Sequence, residues 1–206
     1  MKASAMTKSK QAATDHPVHE LISQRWSPYG FDSRPVPEDD LRSLFEAARW
    51  APSSFNEQPW SFIVALREQG DEFARMLSCL TEKNQEWAQA ASVLGLSVAS
   101  LKFARNDKPN RHAFHDVGLA TGNLVLEATA RGLAAHQMAG ILPDRAREIY
   151  EIPAGWEAVA GIAIGYIAGP ETANLAFRER DEGKVRNRKP LREFVFGGKW
   201  GRAGDI

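Results

Sequence analysis

The segment Ala51-Pro52-Ser53-Ser54-Phe55-Asn56-Glu57-Gln58-Pro59-Trp60 constrains this chain more than any other. Before it runs a helical pattern with an apolar stripe at Leu41, Leu44, Phe45 and Ala48. After it comes the apolar run Phe62-Ile63-Val64-Ala65-Leu66, which reads as a strand over Ser61–Leu66. Pro52 and Pro59 each fix φ and push the preceding residue out of the helical region, so a helix must stop and a strand must start within this short span. Ser53, Ser54 and Asn56 offer short polar side chains that bond nearby backbone or a ligand, and Trp60 adds a large apolar face with one N–H donor. On these residues alone two readings stay open: a structural turn, or the rigid polar rim of a small-molecule site.

Helix and strand patterns alternate along the rest of the chain. Pro17–Gln24 reads as a short helix running into the loop Arg25–Asp32. Pro37 fits a first helical turn, and Glu38, Asp39 and Asp40 suit its positive end. Asp71–Leu80 and Asn84–Ala90 read as helices, Val93–Ala99 as a strand weakened by Gly95, and Asn106–Arg111 as a loop. The longest helix signal spans His112–Arg131, with Phe114, Val117, Thr121, Leu124, Val125 and Ala128 at helical spacing. Gly118, Ala120 and Gly122 leave room there for a second helix, and Gly132 stops the pattern. A strand over Leu133–Met138, a short helix over Pro143–Tyr150 and a strand over Val159–Ile167 follow. From Gly169 the chain reads as charged and irregular. Its Leu191, Phe194, Val195, Phe196 and Trp200 are too apolar for a free tail and must pack on something, a partner subunit among the candidates.

Length and charge narrow the function classes. At 206 residues the chain is long enough for one domain with a sizeable core, or two small ones. A formal net charge of zero weakens any reading built on global attraction to nucleic acid or anionic membrane. No apolar run reaches the ~20 residues of a membrane span. Met1–Gln11 is polar with no apolar stretch behind it, so it reads as a disordered tail of a cytoplasmic protein. Cys79 is the only cysteine, which leaves no intrachain disulfide or multi-cysteine metal site, and it reads as a small core residue.

Four local groupings carry candidate chemistry, each with a bland alternative. Arg25 with Ser27 two residues on makes a phosphate grip or a surface salt bridge plus a turn. The run Arg178–Arg192 is a solvated face, a nucleic-acid patch weakened by its interleaved acids, or an anion site in which Arg186 and Arg188 share one face of an extended segment. His136-Gln137-Met138-Ala139-Gly140 is a strand end turning on glycine, or a place where backbone meets a planar ligand with Gln137 and Met138 at its edge. His112, His115 and Asp116 read as solvated helix-start residues or as an incomplete metal set. The Rossmann glycine fingerprint, the Walker phosphate loop, the G-x-S-x-G elbow and H-E-x-x-H are all missing from the sequence.

Together these stretches resemble the nitroreductase family of flavin mononucleotide (FMN) enzymes, from about Pro17 to Leu191. Arg25–Asp32 is similar to the family's opening R-x-S-x-[RK]-x-F block, and Ala51–Trp60 to its A-P-S-x-x-N-x-Q-P-W block. His115–Ala120 with Asn123-Leu124 is similar to its long dimer-interface helix, and Gly132–Gly140 with Arg186 and Arg188 to its flavin-edge strand and closing phosphate contact. The resemblance implies an α+β fold: a central, mainly antiparallel sheet flanked by helices, in an intertwined homodimer whose C-terminal extension wraps onto the partner. It implies a flexible tail over 1–15 and a single FMN-binding domain over 16–206.

The resemblance also assigns roles. Arg25, Ser27, Arg186 and Arg188 would hold the phosphate and ribityl chain, with the backbone at Trp26 helping. Tyr29 stands in that block where the family usually has Arg or Lys, which shifts the load onto the three arginines. Pro52, Ser53, Ser54 and Asn56 would cover the flavin from the second subunit, and Asn84 would meet its pyrimidine edge. Ala139 and Gly140 would approach flavin N5 by backbone N–H, and Gln137 and Met138, from the strand-end reading above, join them as residues expected to bind the cofactor. Phe55 and Trp87, the latter where some members carry Lys, are expected as aromatic walls of the acceptor pocket. No catalytic side chain and no metal is expected, because the flavin carries the hydride chemistry and the protein supplies binding and electrostatics. NADH or NADPH would reduce the flavin, and a nitroaromatic or quinone would reoxidise it at the same site in a ping-pong cycle. The rival expectations are other flavin chemistry on this fold (dehydrogenation, dehalogenation or flavin fragmentation) and non-catalytic flavin binding.

Overall fold

Helix α2 (Glu38–Arg49) forms where the sequence concentrates start signals. Pro37 is its N-cap, three acids occupy the first turn and Arg49 the last, so charges at both ends match the helix dipole. Helix α1 (Glu20–Gln24) is shorter than the 17–24 pattern because His19 caps it, its Nδ1 accepting the Leu21 N–H at 3.2 Å. The computed structural model describes residues 10–169 and 174–204.

Four strands make one antiparallel sheet: β1 (Trp60–Leu66), β2 (Val93–Ser100), β3 (Ala134–Met138) and β4 (Trp156–Gly165), in the order β1-β2-β4-β3. The central β2 is buried along nearly its whole length, which explains its continuous apolar run in place of alternation. Gly95 does not weaken it. A Cβ there would lie 3.2 Å from the Ile63 carbonyl oxygen of β1, so this glycine marks close strand approach. Strand β4 starts three residues before the expected Val159, because Ser100 and Ala99 of β2 pair with Trp156 and Glu157 beyond a bulge at Ser97/Val98.

Helices cover both faces of the sheet. On one side α3 (Asp71–Leu77), α4 (Glu82–Ala88) and α6 (Pro143–Tyr150) enclose Phe73, Met76, Leu80, Trp87, Leu94 and Leu96. Cys79 is fully buried in this cluster, as its setting in the sequence predicts. On the other side α2 packs on the long α5 (Ala113–Ala130), burying Leu44, Ala48, Leu124, Val125, Ile162 and Ile164. The observed class is therefore α+β with an antiparallel sheet between helix layers.

The reading of an irregular chain after Gly169 needs correction. Helix α7 (Leu175–Gly183) lies within it, started by Asn174, whose side-chain oxygen accepts the Ala176 N–H at 3.0 Å. Its one buried residue is Asp181 rather than an apolar stripe, so periodicity gave no signal. Beyond it, Phe196 bridges to Ala203 and packs on Trp200 with ring centroids 5.1 Å apart, while Phe194 and Trp200 stay 57% and 89% exposed. Of the 1–15 tail, residues 1–9 lie outside the described residues, as do 170–173 and 205–206. Lys10 is buried, and Ala12 donates its N–H to the Ser23 carbonyl at 2.8 Å. Among the described residues, no helix is long and apolar enough to cross a membrane.

Candidate functional site

Arg25 and two arginines far from it in sequence, Arg186 and Arg188, gather at one place. Arg25 follows α1 and donates from Nη1 to the Ser27 hydroxyl at 3.2 Å. Arg186 lies just past α7. Its Nη1 donates to the Ser23 carbonyl at 2.6 Å and to the Lys10 carbonyl. Arg188 is exposed and, among the described residues, donates to the carbonyl of its neighbour Asn187, at 2.7 Å. Burial first, then the charges of Arg186 and Arg188, push the Arg25 guanidinium below its ordinary value. Arg186 is lowered in the same way, by burial and by Arg188. Among the described residues none of the three has a carboxylate ion-pair partner, whereas the arginines along α2 do: Arg42 pairs with Glu38, and Arg49 with Glu46. Three like charges held together, with no carboxylate ion-paired to them among the described residues, carry the donors that an anion such as a phosphate would need.

The loop behind Arg25 is clamped at successive residues. His136 of β3 makes a 2.7 Å contact from Nδ1 to the Pro28 carbonyl, which fixes Nδ1 as the protonated nitrogen. The Asp181 carboxylate of α7 accepts the Tyr29 N–H at 2.9 and 3.0 Å and the Gly30 N–H at 2.9 Å. The Tyr29 ring packs against two other rings. It meets Trp87 edge-on at 5.2 Å and His136 at 4.9 Å, with the Arg180 guanidinium 3.6 Å above it. Trp26 is half-buried, with the Lys10 ammonium 5.5 Å from its ring centre.

At the end of β3 the expected residues divide. Gln137 and Ala139 are exposed and available to a ligand, while Met138 points into the core at 6% exposure. Gly140 is a point of very close approach. A Cβ there would meet Asn84 Nδ2 at 2.4 Å and Thr81 Oγ1 at 2.7 Å. The Asn84 amide is engaged at both ends, donating from Nδ2 to the Gly140 carbonyl at 2.9 Å and accepting the Trp87 indole N–H at 3.2 Å. Trp87 does not line an open pocket. It is 1% exposed and stacks on His136 at 4.5 Å, because a planar apolar ring is worth more between His136 and Phe31 than in solvent.

The Ala51–Trp60 segment is held in an unusual backbone. Three non-glycine residues take positive φ, Phe55 at 56° and Asn56 at 55° within the turn Ser54–Asn56 and Gln58 at 52° just after it. Such conformations are held only where surrounding bonds dictate them. Here the Gln58 N–H donates to Ser53 Oγ at 3.0 Å, and the Ser54 N–H donates to Asp116 Oδ2 at 3.0 Å. Glu57 Oε1 accepts the Ala104 N–H at 2.5 Å. Phe55 is 73% exposed under the Arg105 guanidinium, 4.0 Å from its ring centre, and Pro52 and Asn56 are exposed beside it. Asp116, 2% exposed, therefore braces a loop, while His112 and His115 face outward. Among the described residues no group of three or more His, Cys, Asp or Glu is arranged to hold a metal.

Two separate parts result. The arginine cluster, the clamped loop and the end of β3 form one, and the Pro52–Asn56 loop on the α5 N-terminus forms the other. Among the described residues no hydrogen bond joins that loop to the arginines. An open hollow of about 650 Å³ lies elsewhere, between α2 and β1, walled by Leu41, Phe45, Val64 and Leu66. Its arginines are already paired, so it lacks the free cations of the cluster.

The chain has known relatives. Residues 22–166 match the model of the Nitroreductase family. An uncharacterised 15.4 kDa protein of Mycolicibacterium smegmatis is 34% identical over 146 residues, covering 68% of this chain and 97% of that protein. A protein named NADH dehydrogenase from Thermus thermophilus is 28% identical over 189 residues, 79% of this chain and 86% of the relative. A crystal structure described as an oxidoreductase containing FMN superposes with a TM-score of 0.86 at 34% identity, covering 96% of this chain and all of that one.

Proposed function

The chain belongs to the nitroreductase family, and from that premise we propose that it is an NAD(P)H-dependent flavin oxidoreductase with FMN as its resident cofactor. The observation that carries the reading is the arginine cluster. Arg25, Arg186 and Arg188 have no acid partner among the described residues and match a phosphate, the one strongly anionic group of this flavin. The similarity to the FMN-containing oxidoreductase and to the NADH dehydrogenase supports the cofactor and the donor. When bound, FMN supplies the redox chemistry, taking two electrons from a nicotinamide and passing them to an acceptor.

The chain's own residues bind, orient and enclose. Arg25, Ser27, Arg186 and Arg188 hold the phosphate end, and exposed Gln137 and Ala139 border the opposite edge. Asn84 acts through Gly140, fixing its carbonyl and so the path of the strand end. The donor and then a nitroaromatic or quinone occupy one site in turn, a ping-pong cycle that needs no protein acid or base. The functional unit is a homodimer in which the Pro52–Asn56 loop completes the site of the second copy. Three features support this: the loop's separation from the arginines within one chain, the open surface at Gly118 and Gly122 of α5 with no atom within 4 Å of an added Cβ, and the exposed apolar C-terminal segment. Phe55 is then a wall of the acceptor pocket.

Purified protein is expected to be yellow and to bleach when NADH or NADPH is added without oxygen, with colour returning on addition of a quinone. A colourless protein that takes up no added FMN would sink the reading. A bound flavin that no nicotinamide bleaches would instead favour a non-catalytic binder.

A further inference from the structure

The clamp on the Arg25 loop raises a question of force balance. Arg25, Arg186 and Arg188 repel one another, and the charges of Arg186 and Arg188 are felt at Arg25. Something must keep the segment after α7 beside the segment after α1 when no anion is present. Two backbone ties contribute: Lys10 Nζ donates to the Glu182 and Lys184 carbonyls at 3.2 and 2.9 Å, and Arg186 donates to the Ser23 carbonyl at 2.6 Å. The tie that reaches the anion-binding loop itself is Asp181, which takes the amides of Tyr29 and Gly30. Asp181 is buried, at 7% exposure. Burying a carboxylate costs desolvation, so placing one on the amides of the loop that follows Arg25 is an odd choice unless its geometry is needed.

We propose that Asp181 is a positioning residue for the phosphate end of the flavin site, fixing the turn Ser27–Gly30 against α7 and so holding Arg186 and Arg188 beside Arg25. The proposal rests on the reading of the arginine cluster as a phosphate site. Asp181 never touches the ligand. Its effect appears only through the arginines and is therefore specific to ligands that carry a phosphate.

The test uses the full chain stripped of flavin, titrated with FMN and separately with riboflavin, which lacks the phosphate, following flavin fluorescence. Wild type is expected to bind FMN more tightly than riboflavin. Asp181→Asn keeps the size and one acceptor oxygen, and Asp181→Ser removes the reach. Both are expected to lose FMN affinity, by about tenfold or more for Ser and less for Asn, while riboflavin affinity moves less than about twofold. Unchanged FMN affinity, or equal losses for both flavins, overturns the proposal, since the second result is general support of the fold. If the Ser variant does not fold by circular dichroism, the Asn variant decides alone. A wild type with no preference for FMN over riboflavin instead defeats the phosphate reading, and this proposal with it.

Discussion

Replacing Gly140 by alanine tests the end of β3 most sharply. The new Cβ would stand 2.4 Å from Asn84 Nδ2 and 2.7 Å from Thr81 Oγ1, both well inside contact distance. Asn84 must move, and with it go the bonds to the Gly140 carbonyl at 2.9 Å and from the Trp87 indole at 3.2 Å. Each such bond contributes about 1 kcal/mol net. Overpacking a filled site costs about 1–3 kcal/mol more. The sum is about 3–5 kcal/mol, and at about 2–4 °C per kcal/mol for a chain of this size the melting temperature should fall by about 6–20 °C. The assay is thermal unfolding at fixed protein concentration and fixed flavin loading, because both shift the midpoint. Asn84→Ala already discards the two bonds, so adding Gly140→Ala to it should cost much less than in wild type. A Gly140→Ala protein melting within about 2 °C of wild type, or strictly additive effects, would show that Asn84 does not occupy the space glycine leaves.

Other expectations follow from the same geometry. Burial is the leading cause that holds His136 below its ordinary range, so the unfolded chain protonates it near about pH 6.5 and the folded protein only at lower pH. The unfolded state thus binds more protons in that window, and stability should fall as pH drops below about 6.5; His136→Phe should flatten this slope in denaturant melts taken from pH 7 down to 5. Gly122→Leu on α5 meets open space in one chain, so it should leave the monomer fold intact yet shift sedimentation toward monomer, and an unchanged dimer would remove α5 from the interface. Asp116→Ala strips the acceptor from the Ser54 N–H and should cost about 1–3 kcal/mol, with earlier proteolytic cleavage in the Pro52–Gln58 loop as its local sign.

Much of the fold is legible in the sequence where local rules act alone. Pro143–Tyr150 is a helix at the bounds its proline and periodicity indicate, and α5 falls within one residue of its pattern at each end. The fully buried β2 is legible as a continuous apolar run, and the helix-to-strand switch between Pro52 and Pro59 occurs where two prolines require it. What escapes the sequence is whatever depends on a distant partner. Helix α7 is invisible to periodicity because its buried contact is a carboxylate on two amides about 150 residues away. Asp116 looks like a solvated helix-start residue until Ser54 comes to it from 62 residues upstream. The left-handed Phe55, Asn56 and Gln58 carry no glycine signature, since neighbouring bonds rather than intrinsic preference hold them. Trp87 shows the limit of judging by size: a large aromatic beside Asn84 suits a pocket wall or a core, and only the stack with His136 decides.

The ties between Lys10 and the carbonyls of Glu182 and Lys184 span 172 and 174 positions. A chain emerging from the ribosome at about 5–20 residues per second can pair β1 with β2 and dock α2 on α5 long before that contact exists. Arg25 is made before the sheet, and the arginines that join it follow all four strands. On the phosphate reading of the arginine cluster, cofactor capture must wait until Arg186 and Arg188 have been made, and a nascent chain halted before Arg186 would carry the four-stranded sheet with Arg25 alone of the three arginines.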